Sequence, residues 1–320
     1  MKKRPTTLKF TAAPGGASVG ISAYEDGETA PSISMLSSPD GMHWMEYSVG
    51  NAIALQGGQS VWFKAWTTNT KFGKDWGGAN VFFVQNGQAS VAGPLTALLG
   101  QEPAALPHYC FYALFQDCTG LVDASGLEFP ASQLTNDNCY SDMFWNCTGL
   151  TAVPEQALPG GAGMGIGVYQ NMFHGCTALS DATALTLSPA SGTNCFAGMF
   201  EGCTALTAAS KMPAPATGTN SNIMADMFKG CASLASVSVD FDTWPATSNW
   251  LSGVAQYGDF YCPDGLSVIR DVSHIPVEWS VQYPDRDGDG YSDREEMDNG
   301  TDPNDPDSHP EDEPDPEEEP

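Results

Sequence analysis

The amino-acid sequence predicts a mainly β protein with short helices, in which a β-sandwich is followed by a repeat solenoid and an irregular loop. Three observations predict this order: alternation in the first hundred residues, five copies of one segment in the middle, and regularly spaced aspartates near the end. The predicted parts are a sandwich-like domain (1–100), a five-unit solenoid (101–248), a capping unit (249–284), a metal-binding acidic repeat (285–307) and a disordered acidic tail (308–320).

The first hundred residues alternate between apolar and polar residues, as strands with one buried face do. Val61 and Phe63 would face one side of such a strand, and Trp62 would face the other. Clusters of glycine, asparagine, aspartate and proline separate this run from similar short runs, as turns separate strands. The pattern predicts an antiparallel β-sandwich.

The middle of the chain contains five copies of one segment, and its invariant phenylalanine recurs at steps of 29, 29, 27 and 28 residues. Apolar residues at offsets of 4, 5, 8 and 11 from the first residue fit one face of a short helix that leads into a short strand, such as 150–153 or 234–239. Stacked copies would bury these faces, with a parallel sheet on one side and helices on the other. The phenylalanines are Phe115, Phe144, Phe173, Phe200 and Phe228.

The order of helix and strand and the MFxxCxxL core resemble the BspA-like leucine-rich repeats of bacterial surface proteins. Residues 249–254 and 258–261 resemble the closing unit of that family, and 275–281 resemble the segment that follows it. Residues 37–44 resemble a hairpin found ahead of such repeats. The resemblance implies a leucine-rich-repeat (β/α) solenoid and adhesion to a protein or glycan on a host, matrix or neighbouring cell surface.

The nine cysteines mostly occupy two repeated positions. Two of the five copies replace the first of these cysteines with Val168 or Ile223. A zinc ligand or disulfide partner does not tolerate this exchange, whereas a small buried apolar position does. The sequence therefore predicts buried free thiols, although stacking leaves bridges between successive cysteines open.

Residues 285–296 fit the pattern D-x-D-x-D-G-x5-E, in which alternate residues point oxygens into a wrapped loop. Ca²⁺ takes six to eight such hard oxygen ligands. Pro284 argues against a helix entering the loop. The predicted ligands are Asp285, Asp287, Asp289, Tyr291 through its backbone carbonyl, Asp293 and Glu296.

This loop and its continuation resemble a bacterial thrombospondin type 3 repeat. The resemblance implies that Asp302, Asn304 or Asp305 completes the calcium site or begins a second one. The alternative is a solvated acidic linker, as charge runs often are.

The charge distribution restricts the partners. The chain carries a formal charge of −27, and 17 of its 39 acidic residues lie in 285–320. Such a polyanion repels nucleic acid and anionic lipid.

No apolar run is long enough for a transmembrane segment, and no signal peptide is visible because an apolar stretch does not follow the basic residues 2–4. We expect an extracellular or cell-surface location.

No catalytic motif is present and the five histidines are scattered, so the sequence predicts a protein that is not an enzyme. The predicted function is surface binding or adhesion through outward-facing residues of the repeats. Two alternatives remain: a carbohydrate-binding module that uses Trp62, Trp66 or Trp76, and a structural spacer in a larger surface assembly. The outward-facing candidates are Thr151, Ser180, Thr207 and Ser236.

Overall fold

The computed structural model describes residues 7–25, 29–75, 77–216, 221–308 and 310. The chain is mainly β, with several sheets and few short helices, which confirms the predicted class. Nine strands come first: β1 (Leu8–Ala12), β2 (Ala17–Glu25), β3 (Met35–Ser38), β4 (Met45–Tyr47), β5 (Ala52–Leu55), β6 (Ser60–Ala65), β7 (Gly73–Asp75), β8 (Gly78–Gln85) and β9 (Ala89–Pro94).

These strands form two sheets that share an aromatic core. The larger sheet has the order β10-β9-β1-β6-β3-β4 and the smaller one β5-β2-β8-β7. All their pairings are antiparallel except that of β9 with β10 (Leu121–Glu128), which is parallel. The ring of Phe82 in the smaller sheet lies 5.0 Å from that of Phe10 and 5.3 Å from that of Phe63 in the larger sheet. The two sheets therefore pack face to face.

The five repeats stack directly on one another. The Phe115 amide donates a hydrogen bond of 2.8 Å to the carbonyl of Met143 in the next repeat, and the Phe144 amide does the same to Met172. The rings of successive repeat phenylalanines are stacked, with centroids 5.2–5.5 Å apart and planes within 13° of parallel. Both the backbone and the core thus join each repeat to the next.

The prediction of a short helix in each repeat is wrong. These segments are linked turns, in which every fourth residue has a left-handed backbone, as at Asn138, Asp142 and Asn146 with φ of 54°, 55° and 54°. A left-handed residue interrupts the hydrogen-bond series of an α-helix, and here alternate amides bond to the next repeat instead. The helices of the described residues are α1 (Thr96–Leu99) and α2 (Asp293–Asn299).

Short parallel strands lie on another side of the stack, but in the described residues they pair at fewer interfaces than the sequence predicted. The remaining strands are β11 (Asp181–Ala182), β12 (Ala208–Ala209), β13 (Ser236–Ser238), β14 (Gly258–Tyr261) and β15 (Trp279–Gln282). β11 pairs with β12, and β14 lies between β13 and β15, all in parallel. The segment predicted as a strand at 150–153 makes a single bridge, from Ala152 to Asp123. The candidate contact residues Thr151, Ser180, Thr207 and Ser236 are all exposed.

One hydrophobic core runs from Leu8 in β1 to Trp279 in β15. The ring of Phe115, in the first repeat, lies 5.7 Å from that of Phe82 in the smaller sheet. At the far end Trp250 and Trp279 are buried, and their indole nitrogens donate to backbone carbonyls over 2.8 and 2.9 Å. These aromatic side chains cover the last repeat. The domain boundaries predicted from the sequence stay predictions.

All nine cysteines are buried, as predicted. The Cys147 thiol donates to the carbonyl of Phe115 over 3.0 Å, and the Cys176 thiol to that of Phe144 over 3.2 Å. Burial raises the pKa of Cys118 and of Cys195 to about 12. These thiols therefore remain protonated near neutral pH and fill the repeat core as small apolar side chains do.

Candidate metal centre

The acidic loop begins just after β15 and ends at the start of α2. Strand β15 and then Pro284 precede it, so no helix enters the loop within this described stretch. Ser292 begins α2 as a capping box: its hydroxyl accepts from the Glu295 amide over 3.2 Å, and its own amide donates to the Glu295 carboxylate over 2.9 Å. This cap satisfies two amides and fixes where the loop stops.

The aspartates of the loop also shape it. Asp285 accepts hydrogen bonds from the amides of Gly288 and Gly290, over 2.7 and 3.2 Å. Asp289 accepts one from the amide of Tyr291 over 2.8 Å. Both glycines have a positive φ, of 79° and 100°, which residues with a side chain rarely adopt. Spacing and glycine positions together wrap the loop around its carboxylates.

This wrapping brings together three of the predicted ligands. Asp285, Asp287 and Asp289 each offer a carboxylate oxygen, and these oxygens lie within 4.8 Å of one another. Among the described residues, Asp287 Oδ2 and Asp289 Oδ2 are buried and have no hydrogen-bond partner. Like charges this close repel one another unless a cation lies between them.

Glu296, on α2, lies close enough to the cluster for the carboxylates of Asp287 and Asp289 to act on it. Its side chain is buried, and neither carboxylate oxygen has a hydrogen-bond partner in the described part of the chain. Burial, and then the neighbouring carboxylates of Asp287 and Asp289, raise its pKa above the ordinary value. A buried carboxylate without a partner is unfavourable, and a divalent cation would compensate it. The residues present therefore fit a calcium ion, whose preferred ligands are oxygens.

Asp293 and Tyr291 are placed differently. Asp293 accepts the backbone amide of Arg286 over 2.8 Å and forms an ion pair of 3.1 Å with the guanidinium of the same arginine. Tyr291 bonds to the loop through its amide. The roles of Asp293 and Tyr291 as ligands stay predictions, because the three-carboxylate cluster found among the described residues comprises Asp285, Asp287 and Asp289.

The continuation of the loop lies outside the three-carboxylate cluster and contacts the loop through Asn304, whose side-chain oxygen accepts from the Arg286 guanidinium over 3.3 Å. Asp302, Asn304 and Asp305 are exposed, and Asp302 accepts the amide of Asn304 over 3.2 Å in a local turn. A role for these three residues in a second site stays a prediction.

Arg294 attaches the loop to the segment that follows the last repeat, a contact that the sequence did not indicate. Its guanidinium lies over the ring of Tyr283 at 4.9 Å and donates to the Tyr283 hydroxyl over 3.0 Å. It also donates to the carbonyl of Asp264 over 3.4 Å. The centre is therefore held against the end of the repeat stack.

The tryptophans proposed as a carbohydrate platform differ in their surroundings. Trp66 is 54% exposed. Trp62 is half-buried, with the Lys9 ammonium 5.2 Å from its ring centroid. Trp76 lies outside the described residues.

Comparison with known proteins adds a decisive observation about the loop. Residues 285–306 match the bacterial TSP3 repeat. Repeats of this kind bind calcium, so the match supports the predicted calcium-binding repeat and an extracellular type of protein. No curated protein and no solved structure matches the chain. None of the helices in the described residues has the length and apolar character needed to cross a membrane.

Proposed function

We propose that the chain is a bacterial cell-surface or extracellular protein that is not an enzyme, binds calcium through its TSP3 repeat and attaches to other macromolecules through its repeats. The carboxylate cluster of Asp285, Asp287 and Asp289 carries the proposal, together with the buried, unpartnered Glu296. Calcium is the ion that best fits carboxylate and carbonyl oxygens in a flexible loop.

The adhesive part of the proposal depends on the stacked repeats. Their sequence resembles BspA-like leucine-rich repeats, and their stacking gives an extended surface on which equivalent positions recur. Thr151 and Thr207 are exposed on this surface, and each hydroxyl donates to a carbonyl of the preceding repeat over 2.9 Å. A regular surface of this kind suits the binding of another macromolecule.

The absence of catalysis is also part of the proposal. Each of the nine cysteines is buried. Burial raises the pKa of eight of them, and a hydrogen bond with Cys176 together with burial raises that of Cys203, so none supplies a thiolate nucleophile near neutral pH.

A calcium titration of the full chain tests the first part. We expect calcium to raise the Tm and to bind with measurable heat, and the double variant Asp287→Asn/Asp289→Asn to lose both effects. Glu278→Gln is the control, because Glu278 is an exposed carboxylate that lies outside the acidic repeat and outside the cluster. Equal calcium binding by the double variant and the wild type would show that the ion binds elsewhere.

Binding of the labelled full chain to matrix proteins, cell surfaces and glycans, with calcium and with chelator, tests the second part. We expect saturable binding to at least one surface, reduced in the variant Thr151→Lys/Thr207→Lys. If calcium binds at the cluster but no surface is recognised, the adhesive proposal is wrong and the alternative of a structural spacer stands.

A further inference from the structure

A groove of about 580 Å³ lies where the larger sheet meets the first repeat. The end of β6, helix α1 and the end of β10 all contribute to its walls. It lies in the first part of the chain, and no residue of the calcium centre lines it. Its volume falls within the range typical of small-ligand sites. Six residues with chemistry suited to a ligand line it: Lys64, Trp66, Thr96, Gln101, Glu102 and Glu128.

Trp66 provides a flat apolar surface at this groove. Its side chain is 54% exposed, whereas Trp250 and Trp279 are buried. The Trp66 amide donates to the carbonyl of Ser34 over 3.0 Å, which fixes the backbone that presents the ring. An exposed indole of this kind offers a large, rigid contact area to the apolar face of a ligand.

The polar side chains around Trp66 are held in place before any ligand arrives. The Lys64 ammonium lies 3.9 Å from the ring centroid of Trp44, an arrangement that restrains the lysine. Glu102 accepts the amide of Ala131 over 2.7 Å and so ties together two loops at the groove. The backbone carbonyl of Glu128 accepts the amide of Leu95 over 2.9 Å, which fixes the strand that carries this residue. Such preorganisation lowers the entropic cost of binding.

The chemistry of the lining selects among ligands. Two carboxylates and one ammonium leave the groove with a net negative charge, which disfavours anionic ligands. An extended peptide would use a free strand edge. Strands β6 and β9 are inner strands, and the outer side of the edge strand β10 is already bonded to the next repeat, at Ala152 and Glu155. A neutral ligand with many hydroxyl groups and an apolar ring face matches this lining, because the ring face can lie on Trp66 while the hydroxyls bond to both the ammonium and the carboxylates.

We propose that this groove binds a neutral oligosaccharide, with Trp66 against one sugar ring and with Lys64 and Glu128 bonded to its hydroxyls. The site goes beyond the proposed function, because it uses neither the calcium loop nor the exposed hydroxyls of the repeats. Its success or failure is therefore separate from theirs.

Titration of the full chain with cellohexaose, maltohexaose, xylohexaose and chitohexaose tests the proposal, by calorimetry and by tryptophan fluorescence. We expect at least one of these sugars to bind equally well with calcium and with chelator. Trp66→Ala should weaken that binding roughly tenfold or more, as the loss of a central aromatic contact does. Glu128→Gln should weaken it by a smaller factor.

Tyr257→Ala is the control, because Tyr257 is an exposed aromatic residue outside the groove. The Tm of each variant shows that it is folded. The proposal is overturned if none of the four sugars binds, if Trp66→Ala and Glu128→Gln bind as the wild type does, or if chelator abolishes binding. A preference for anionic polygalacturonate would also overturn it.

Discussion

Asp142 lies buried in a turn of the second repeat, with 6% of its surface exposed. Burial raises the pKa of its carboxyl group from 3.8 to about 6, and hydrogen bonds, of which that with Asn171 is the strongest, offset only part of this rise. The folded protein therefore holds this proton more tightly than the unfolded chain does. The contribution of Asp142 to stability consequently falls as the pH rises from about 4 to about 6.

We expect Asp142→Asn to stabilise the protein by roughly 1–3 kcal/mol at pH 7, because it removes a buried charge. Asparagine already occupies the equivalent position, Asn171, with a φ of 54°. Urea unfolding at several pH values measures the effect, which should vanish below about pH 4. Asp117→Asn is the control, since Asp117 shares the left-handed backbone but is exposed. An equal gain in both variants would contradict the role of burial.

The effect of replacing Glu296 on the Tm should depend on whether calcium is bound. In chelator, Glu296→Gln should raise the Tm, because it removes a buried charge that has no partner among the described residues. With calcium it should weaken ion binding roughly tenfold or more, because a carboxylate ligand is lost. The Tm in both conditions and a calcium titration measure the two effects. A variant whose Tm changes in the same direction with calcium and with chelator would contradict the placement of Glu296 in the centre.

At the residue scale the sequence predicted that three carboxylates of the loop lie together, because they are close along the chain. The spacing of Asp285, Asp287 and Asp289 alone brings their oxygens together. The ion pair of Asp293 with Arg286 was not foreseen, because it depends on how the loop folds back on itself.

At the scale of the element, the spacing of apolar residues in the repeats fits two different local structures. Apolar offsets of 4 and 8 fit one face of a helix, but they equally fit turns that repeat every four residues. Asn138, Asp142 and Asn146, also four apart, carry the signal that decides between them, since asparagine and aspartate tolerate the left-handed backbone. By contrast, the alternation of residues in β6 and β9 fits only a strand with one buried face. The buried residues of both strands alternate in this way.

Glycines at the left-handed positions also provide space for the neighbouring repeat. A Cβ atom on Gly198, where φ is 61°, would lie 2.3 Å from Asn171 Oδ1 of the preceding repeat. We expect Gly198→Ala to destabilise the protein by roughly 2–4 kcal/mol, from backbone strain and this contact together. Gly163→Ala is matched to it, because φ is 76° there and nothing lies within 4 Å, so strain alone should cost about 1 kcal/mol. Equal losses in urea unfolding would mean that the contact between repeats is unimportant.

At the scale of the whole molecule, the sequence could predict the parts but not how they join. Alternation and repetition are local patterns, each confined to its own part of the chain. Two contacts join these parts: β9 pairs with β10, and Phe115 of the first repeat lies against Phe82 of the smaller sheet. The repeats and the two sheets are thereby parts of one core.

This shared core leads to a prediction about fragments. We expect residues 1–100 and residues 101–320, produced separately, to unfold at a lower temperature than the intact chain, because each exposes apolar surface that the other buries. Calorimetry and the binding of a hydrophobic dye measure this, and co-expression of the two fragments should restore much of the stability. Two fragments as stable as the intact chain would show that residue 100 is a true boundary between independent domains.

The hydrogen bonds between successive repeats determine how the stack responds to a pulling force. A pull on the carboxyl end first reaches α2, where the contacts of Arg294 with Tyr283 and with the carbonyl of Asp264 resist it, and it then reaches β15 along the chain. From there the tension crosses each interface in turn, and every interface is a single layer of hydrogen bonds and stacked rings. Under force the protein should therefore lengthen in discrete steps, each releasing one repeat of 27–29 residues. Each step would add roughly 90–100 Å of extended chain, so the stack would lengthen by one repeat at a time while the remaining repeats stay folded.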